Sequence, residues 1–379
     1  MVSDQYISSV APSPVLYFLF VFFVCVWFLR VYLLYRETLK RNKEWIGPRT
    51  LIGDETVSAF PVGYSSLWLS DAAAIKEIAS SRLRFPKPVK LYKVLLIFGP
   101  NIVASEFDSW KRYRRMVASA FSDRNHEYVW YSASKLGVDL LDNVFKNEKE
   151  VVLDDASSQA LAFALAALSI HPDEQKALYQ QIKQVMPNGE LPRYEDIHLL
   201  AYSLAVINET LRMYPPVNAS PKYCAEDTVI TVTNASGSKK LVPVPKNTKI
   251  FLHITGVHYN PRYWKDPHVF NPSRFLADYP REAFIPFSSG ELSVRGALQK
   301  LRTATVYVTG SRSCIGRKFF ETEAVAILSL IISRYKVSIK EDPRYAHETF
   351  EEKKQRIFTA NIKLTLTAAN QIPLVFTRR

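Results

Sequence analysis

Apolar positions run unbroken from Val15 to Leu29 (VLYFLFVFFVCVWFL) and resume after Arg30 as VYLLY, to Tyr35. A helix over 15–35 would be about 31 Å long at ~1.5 Å per residue, the depth of a bilayer core. Arg30 lies near one end, where its side chain can snorkel to the headgroups. A cleaved signal peptide wants a basic start and small residues at the cleavage point. Residues 1–14 carry only Asp4, and bulky residues follow the run, so a retained transmembrane anchor is expected. Arg36, Lys40, Arg41, Lys43 and Arg49 come next, diluted by Glu37 and Glu44. Basic flanks stay on the cytoplasmic side. That leaves 1–14 as a non-cytoplasmic tail and 36–379 as a cytoplasmic domain.

Beyond the anchor the pattern is mostly helical. The segment 109–121 (SWKRYRRMVASAF) has basic amphipathic spacing. The stretch 161–170 (LAFALAALSI) is too short to cross a membrane and reads as a buried helix that continues to 185. It is interrupted or restarted at His171-Pro172-Asp173-Glu174-Gln175, where a proline followed by acids suits a first turn. A helix over 194–214 is stopped by Pro215-Pro216. Residues 228–233 and 249–254 alternate or are β-branched and predict strands, and 361–367 (NIKLTLT) predicts a half-buried strand. Asn260-Pro261, Asp266-Pro267 and Asn271-Pro272 mark a turn-rich stretch, and 324–335 a strongly apolar helix. The fold class expected is α-rich α+β.

Composition narrows the classes. The chain has 379 residues, 47% of them apolar, which is ample for a core and excludes a disordered chain. Twelve glycines exclude collagen-like and glycine-linker architectures. Three cysteines, Cys25, Cys224 and Cys314, are too few for a disulfide scaffold and favour a reducing compartment. The net charge of +13 suits a surface near anionic lipid or an acidic partner. Basic residues are scattered rather than striped, and no recognition motif stands out, so a nucleic-acid partner is not expected.

Candidate chemistry centres on Gly310 to Phe320 (GSRSCIGRKFF). Cys314 sits between a basic loop and a helix start, where free backbone N–H groups, the helix N-terminus and Arg312 favour a thiolate. Gly310 and Gly316 let the backbone approach something flat and bulky, as a haem held by a thiolate requires. The plainer alternative is a buried cysteine at a helix start, and for a lone cysteine that reading leads. Glu209 and Arg212 stand at i,i+3 on one helix face. Phe270-Asn-Pro-Ser-Arg274-Phe275 follows, and Arg274 could complete a Glu–Arg–Arg network whose members must all be present. Cys25 and Cys224 read as packing residues, and His253 and His258 as structural ones, either of which could also reach a haem propionate.

The order E-x-x-R, F-x-P-x-R-F, G-x-R-x-C-x-G resembles the cytochrome P-450 family of haem-thiolate monooxygenases, over nearly the whole of 45–379. Trp110 and Arg114 resemble that family's W-x-x-x-R pair, and 171–175 (HPDEQ) the segment after its long central helix. The resemblance implies the family fold and haem with Cys314 as axial iron ligand. It implies Arg312, Trp110 and Arg114 at the propionates, Lys222 as a weaker candidate, and Glu209, Arg212 and Arg274 as structural braces. It implies insertion of one oxygen atom from dioxygen into a small apolar substrate. Electrons would come from an NADPH-dependent flavoprotein reductase, at an endoplasmic-reticulum membrane.

Two departures qualify that likeness. Between Arg114 and Glu209 the family has several more helices than this chain has room for; part of its helical domain is missing, with the apparent deletion near 154–158. The family's A-G-x-D/E-T motif is absent, so no catalytic residue is assigned. The cysteine loop is also split: Phe287-Ser-Ser-Gly290 supplies its beginning, and Glu291 to Gly310 then intervene. Removing 291–310 would restore FIPFSSG-SRSCIGRKFF. The insert resembles a translated intron and the deletion a skipped exon, with a tolerated surface loop as the alternative for the insert. Two further functional readings are therefore carried: an inactive haem-binding remnant, and a membrane-anchored scaffold without haem.

Overall fold

The computed structural model describes residues 14–41, 56–59, 66–146, 148–153, 159–233, 237–288, 313–362, 365–368 and 371–379. The tail 1–13, the deletion point 154–158, the insert 291–310 and Arg312 lie outside the described residues.

Helix α1 (Pro14–Arg41) contains the expected span. Among the described residues, however, no helix is long and apolar enough to cross a membrane. The side chains described on α1 are those of residues 20, 22–33 and 36, which include Arg30. They form a run shorter than the about 20 apolar residues a span needs. The transmembrane expectation over 15–35 is therefore not supported by the structure.

Among the described residues the strands lie in four small sheets. β1 (Thr56–Ala59), β2 (Ser66–Leu69), β4 (Ala219–Tyr223) and β7 (Lys249–His253) form one, in the order β1-β2-β7-β4. Its β2–β7 pair is parallel and the other two are antiparallel. β3 (Glu150–Leu153), β11 (Leu374–Arg378) and β8 (Tyr335–Ile339) form a second, antiparallel sheet. β5 (Thr228–Thr233) pairs with β6 (Lys239–Val244). The strand expected over 361–367 is instead two short ones, β9 (Ala360–Ile362) and β10 (Leu366–Ala368), which satisfy each other's backbone groups.

Helices make up the bulk. α5 (Gln159–Ile170) is buried almost all round, and α6 (Pro172–Val185) restarts at Pro172. Proline lacks the N–H that would continue the first helix, and its fixed φ suits the next one. Ala160, Ala162, Ala164, Ala166 and Ala167 are buried on α5, so its backbone can come close to its neighbours. Gln175 of α6 ties this core together: Nε2 donates to the carbonyls of Leu168 (2.9 Å) and Val337 (2.8 Å), and Oε1 accepts from Val337 N–H (2.9 Å).

The expected helix 194–214 is a 3-10 turn (Tyr194–Leu200) running into α7 (Ala201–Met213). α3 (Phe107–Ala118) carries the basic face. The helix expected from 324 starts earlier, as α9 (Arg317–Arg334), directly behind the cysteine. Pattern reading left out α2 (Ala72–Ser80), α4 (Asp123–Asp139) and α10 (Phe350–Phe358). Each is signalled by its cap: Asp71, Ser122, and the reciprocal Thr349/Glu352 pair. α8 (Ile254–His258) is one short turn after β7. α4 lies against α9 closely enough that a Cβ at Gly137 would stand 2.6 Å from Leu330 Cδ1.

Candidate haem-thiolate site

The split loop closes in space. Cys314 N–H donates to the carbonyl of Phe287 at 2.9 Å, across the segment that separates them in sequence. The Phe287 ring lies under the Arg317 guanidinium, 5.1 Å from it, and beside Phe320 at 6.1 Å. Arg317 in turn donates to Glu321 Oε1 at 2.8 Å. One phenylalanine thus grips both the cysteine and the first turn of α9. Cys314 is exposed and in no disulfide. A Cβ at Gly316, the N-cap of α9, would sit 4.0 Å from Cys314 Sγ and 3.5 Å from Phe121 Cε1. Glycine keeps clear the space beside the sulfur.

α3 meets this loop through Arg114, whose Nη1 donates to the Ser313 carbonyl at 2.9 Å. Burial holds the Arg114 pKa below its ordinary value, an effect that the nearby Cys314 sulfur opposes only in part. Trp110 is buried one turn earlier on the same helix. Lys222 is buried in β4, opposite Ile250 of β7.

The Glu–Arg–Arg network is assembled. Arg212 donates to Glu209 through Nε (2.7 Å to Oε2) and Nη2 (2.8 Å to Oε1), a bidentate pair with both side chains fully buried. Arg274 Nε reaches Glu209 Oε1 at 3.2 Å, and Asn271 N–H donates to the same oxygen at 2.9 Å. The remaining Arg274 donors go to the carbonyls of Lys265, Asp266 and Val269. Such a pair is stable in low dielectric only when nearly every donor and acceptor is used, and here they are.

His258 joins the two halves of the site. It is fully buried at the end of α8. Its Nδ1 lies 2.9 Å from the Arg212 carbonyl, and Ile285 N–H donates to its Nε2 at 3.0 Å. A carbonyl accepts and an amide donates, so the ring is neutral with its proton on Nδ1. Burial first, then the Arg212 guanidinium, hold its pKa down at about 3. Arg212 Nη1 donates back to the His258 carbonyl at 2.8 Å. A continuous bonded path therefore runs from Glu209 through Arg212 and His258 to the loop 284–287, and from Phe287 to Cys314. Sequence spacing assigned His258 no such position, because a lone histidine in a turn-rich stretch has no periodicity to read.

This geometry has relatives. A family profile described as Cytochrome P450 matches residues 154–292. Cytochrome P450 monooxygenase 124 of Postia placenta is 31% identical over 461 aligned positions, covering 86% of this chain and 85% of that protein. Cytochrome P450 4A10 of Mus musculus is 29% identical over 185 positions, 48% of this chain and 31% of that protein. The human ultra-long-chain fatty acid omega-hydroxylase is 28% identical over 212 positions, 54% of this chain and 35% of that protein. The chain thus spans most of the fungal relative and about a third of the mammalian ones. The family's cofactor is haem with a cysteine thiolate as axial ligand, and its members are oxidoreductases. With the closed cysteine loop, the Glu–Arg–Arg network and a 31% identical relative aligned over 86% of this chain, the protein belongs to the cytochrome P450 family.

Proposed function

We propose that this chain binds haem through Cys314 and is a monooxygenase acting on a small apolar substrate, with electrons from an NADPH-dependent flavoprotein reductase. The observation that carries this is the Cys314 amide–Phe287 carbonyl bond, which closes the thiolate loop despite the insert. The residues present fit the cofactor. Cys314 is an unpaired, exposed soft ligand, and the space beside it is kept free by Gly316. Haem held by a thiolate supplies the activation of dioxygen. Arg114 fixes the loop through Ser313 with one of its five N–H donors, leaving others for a propionate; Trp110, Arg312 and Lys222 are assigned to the same end of the cofactor. Glu209, Arg212 and Arg274 hold the loop's support rather than touch the reacting atoms. The name of the human relative, a fatty acid hydroxylase, supports an apolar substrate class. The aromatic side chains Phe20, Phe22, Phe23, Trp27 and Phe28 are exposed on α1; they support α1 as a membrane contact, with the endoplasmic reticulum as its location.

A second reading, haem binding without efficient turnover, rests on its own observation. The alignment to the fungal relative runs over 461 positions, more than the 379 residues of the chain. The family match begins at 154 and stops at 292, where the chain departs from the family pattern. The helices missing between Arg114 and Glu209 would leave the cofactor's substrate side open to water, and water exclusion is what protects reactive intermediates. The reduced carbon-monoxide difference spectrum of the full chain, beside Cys314→Ser, tests both readings. A red-shifted Soret band lost in Cys314→Ser supports haem binding through Cys314. NADPH-dependent substrate oxidation with reductase then separates the two readings. No haem signal from folded protein overturns both.

A further inference from the structure

Helix α4 has two unlike faces. His126, Val129, Trp130, Ala133 and Gly137 are buried on one of them, with Gly137 against α9. On the opposite side Arg124, Tyr128, Tyr131, Lys135 and Asp139 follow one another at helical spacing and form a single stripe along the axis. All five are exposed, Tyr128 at 73% and Tyr131 at 49%. Asn143 Nδ2 donates to Asp139 Oδ1 at 2.6 Å, which holds the carboxylate at the end of the stripe. Tyrosines are enriched at the centres of protein interfaces, where a broad ring gives contact area for little lost side-chain entropy.

The stripe is complementary to itself when reversed. Laid antiparallel on a second copy, about a two-fold axis between residues 131 and 132, it sets Arg124 of each copy opposite Asp139 of the other. Lys135 of each then lies over the Tyr128 ring of the other, a cation–π contact, and the two Tyr131 rings meet at the axis. An anionic surface would be met by cations alone; a cation at one end and an acid at the other fit a copy of the same helix. We propose that this face of α4 pairs two copies of the chain, antiparallel, through reciprocal Arg124–Asp139 and Lys135–Tyr128 contacts. The interface is isologous, as a two-fold axis requires. The 17 residues of α4 are about 25 Å long, and one helix face of that length covers less than the ~800 Å² per partner of a stable complex. Two cations to one acid also leave each stripe with a net positive charge. The pair is therefore weak and forms at high local concentration. It needs neither haem nor turnover, so it stands or falls separately from the monooxygenase reading.

The test is sedimentation equilibrium of the full chain in non-ionic detergent over a wide range of protein concentration. Expected is a dimer that forms as concentration rises. Arg124→Asp sets acid against acid at both ends of the pair, and Asp139→Arg sets cation against cation; each variant alone should dimerise about tenfold more weakly. Mixed in equal amounts, the two variants should recover the dimer, because each then meets its opposite at both ends. An acid in the first turn of a helix and a cation in the last suit its dipole, so both variants should keep the wild-type circular dichroism spectrum. A wild-type chain that stays monomeric at every concentration would overturn the proposal. So would a mixture that associates no better than the single variants. A dimer that neither swap weakens would also overturn it, and would move the contact to another face, such as the exposed aromatic side chains of α1.

Discussion

Replacing His258 with leucine removes the joint between the buried ion pair and the loop whose Phe287 carbonyl meets Cys314. Leucine is close enough in size to fill the site, so packing is largely kept and the polar contacts are isolated. The substitution leaves the Arg212 carbonyl and the Ile285 N–H, both now bonded to the ring, without partners in a fully buried place. An unsatisfied buried group costs about 1–3 kcal/mol, so the expected loss is about 2–6 kcal/mol. Urea unfolding followed by circular dichroism reads it as a lower midpoint at unchanged slope. Glutamine, with one donor and one acceptor, should recover part of the loss. The ring also predicts a pH dependence. Its folded pKa is about 3, below the ordinary 6.5, so the unfolded chain binds the proton more tightly. Its stabilising contribution is full above pH 6.5 and falls by about 1.4 kcal/mol per unit as pH drops towards 3. That slope should be shallower by this amount in His258→Gln. A leucine variant within about 1 kcal/mol of wild type, or a pH profile identical in the glutamine variant, would refute the account of His258 as a neutral, doubly bonded joint.

Other outcomes follow from the same geometry. Glu209→Gln leaves the Arg212 guanidinium buried without its counter-charge and should cost about 3–5 kcal/mol in urea unfolding; a smaller loss than Arg274→Gln, whose own side chain is less completely buried, would contradict this ordering. Gly137→Ala puts a methyl against Leu330 and Ile327 side chains and should cost about 1–2 kcal/mol, with Gly137→Leu worse; a melting temperature unchanged in both would mean α4 and α9 are not in this contact. Thr349→Ala removes the capping pair with Glu352 and should cost about 1 kcal/mol, without touching the carbon-monoxide spectrum.

The cysteine site was legible because its residues are short motifs of fixed chemistry: Glu209 and Arg212 face one another by helix period, and Arg274 follows a turn that proline and asparagine announce. The joint between them was not. Phe287 and Cys314 are separated by the insert, so only the likeness of Phe287-Ser-Ser-Gly290 to the start of the cysteine loop links them, and His258 earns its place only through bonds to two distant backbones. For the fold, long apolar segments such as 161–170 were read correctly as buried helix. α4 and α10 were missed because their apolar faces are weak and their caps, Ser122 and Thr349, carry the signal. The tail strand was read as one because alternation persists through a reversal. The span over 15–35 rested on an apolar run of bilayer length and its basic flank, and the described side chains of α1 do not support it.

The parallel pairing of β2 with β7 has a consequence for synthesis. Ser70, just past β2, meets His253, at the end of β7, across 183 residues of sequence. At roughly 5–20 residues per second, β2 emerges on the order of 10–40 s before the strand that covers it. During that interval Leu67 and Leu69, both buried in the finished fold, stand on an open edge. Nascent chains of this protein are thus most prone to aggregate before residue 253 leaves the ribosome, and slowing translation upstream of β7 should lengthen their dependence on chaperones.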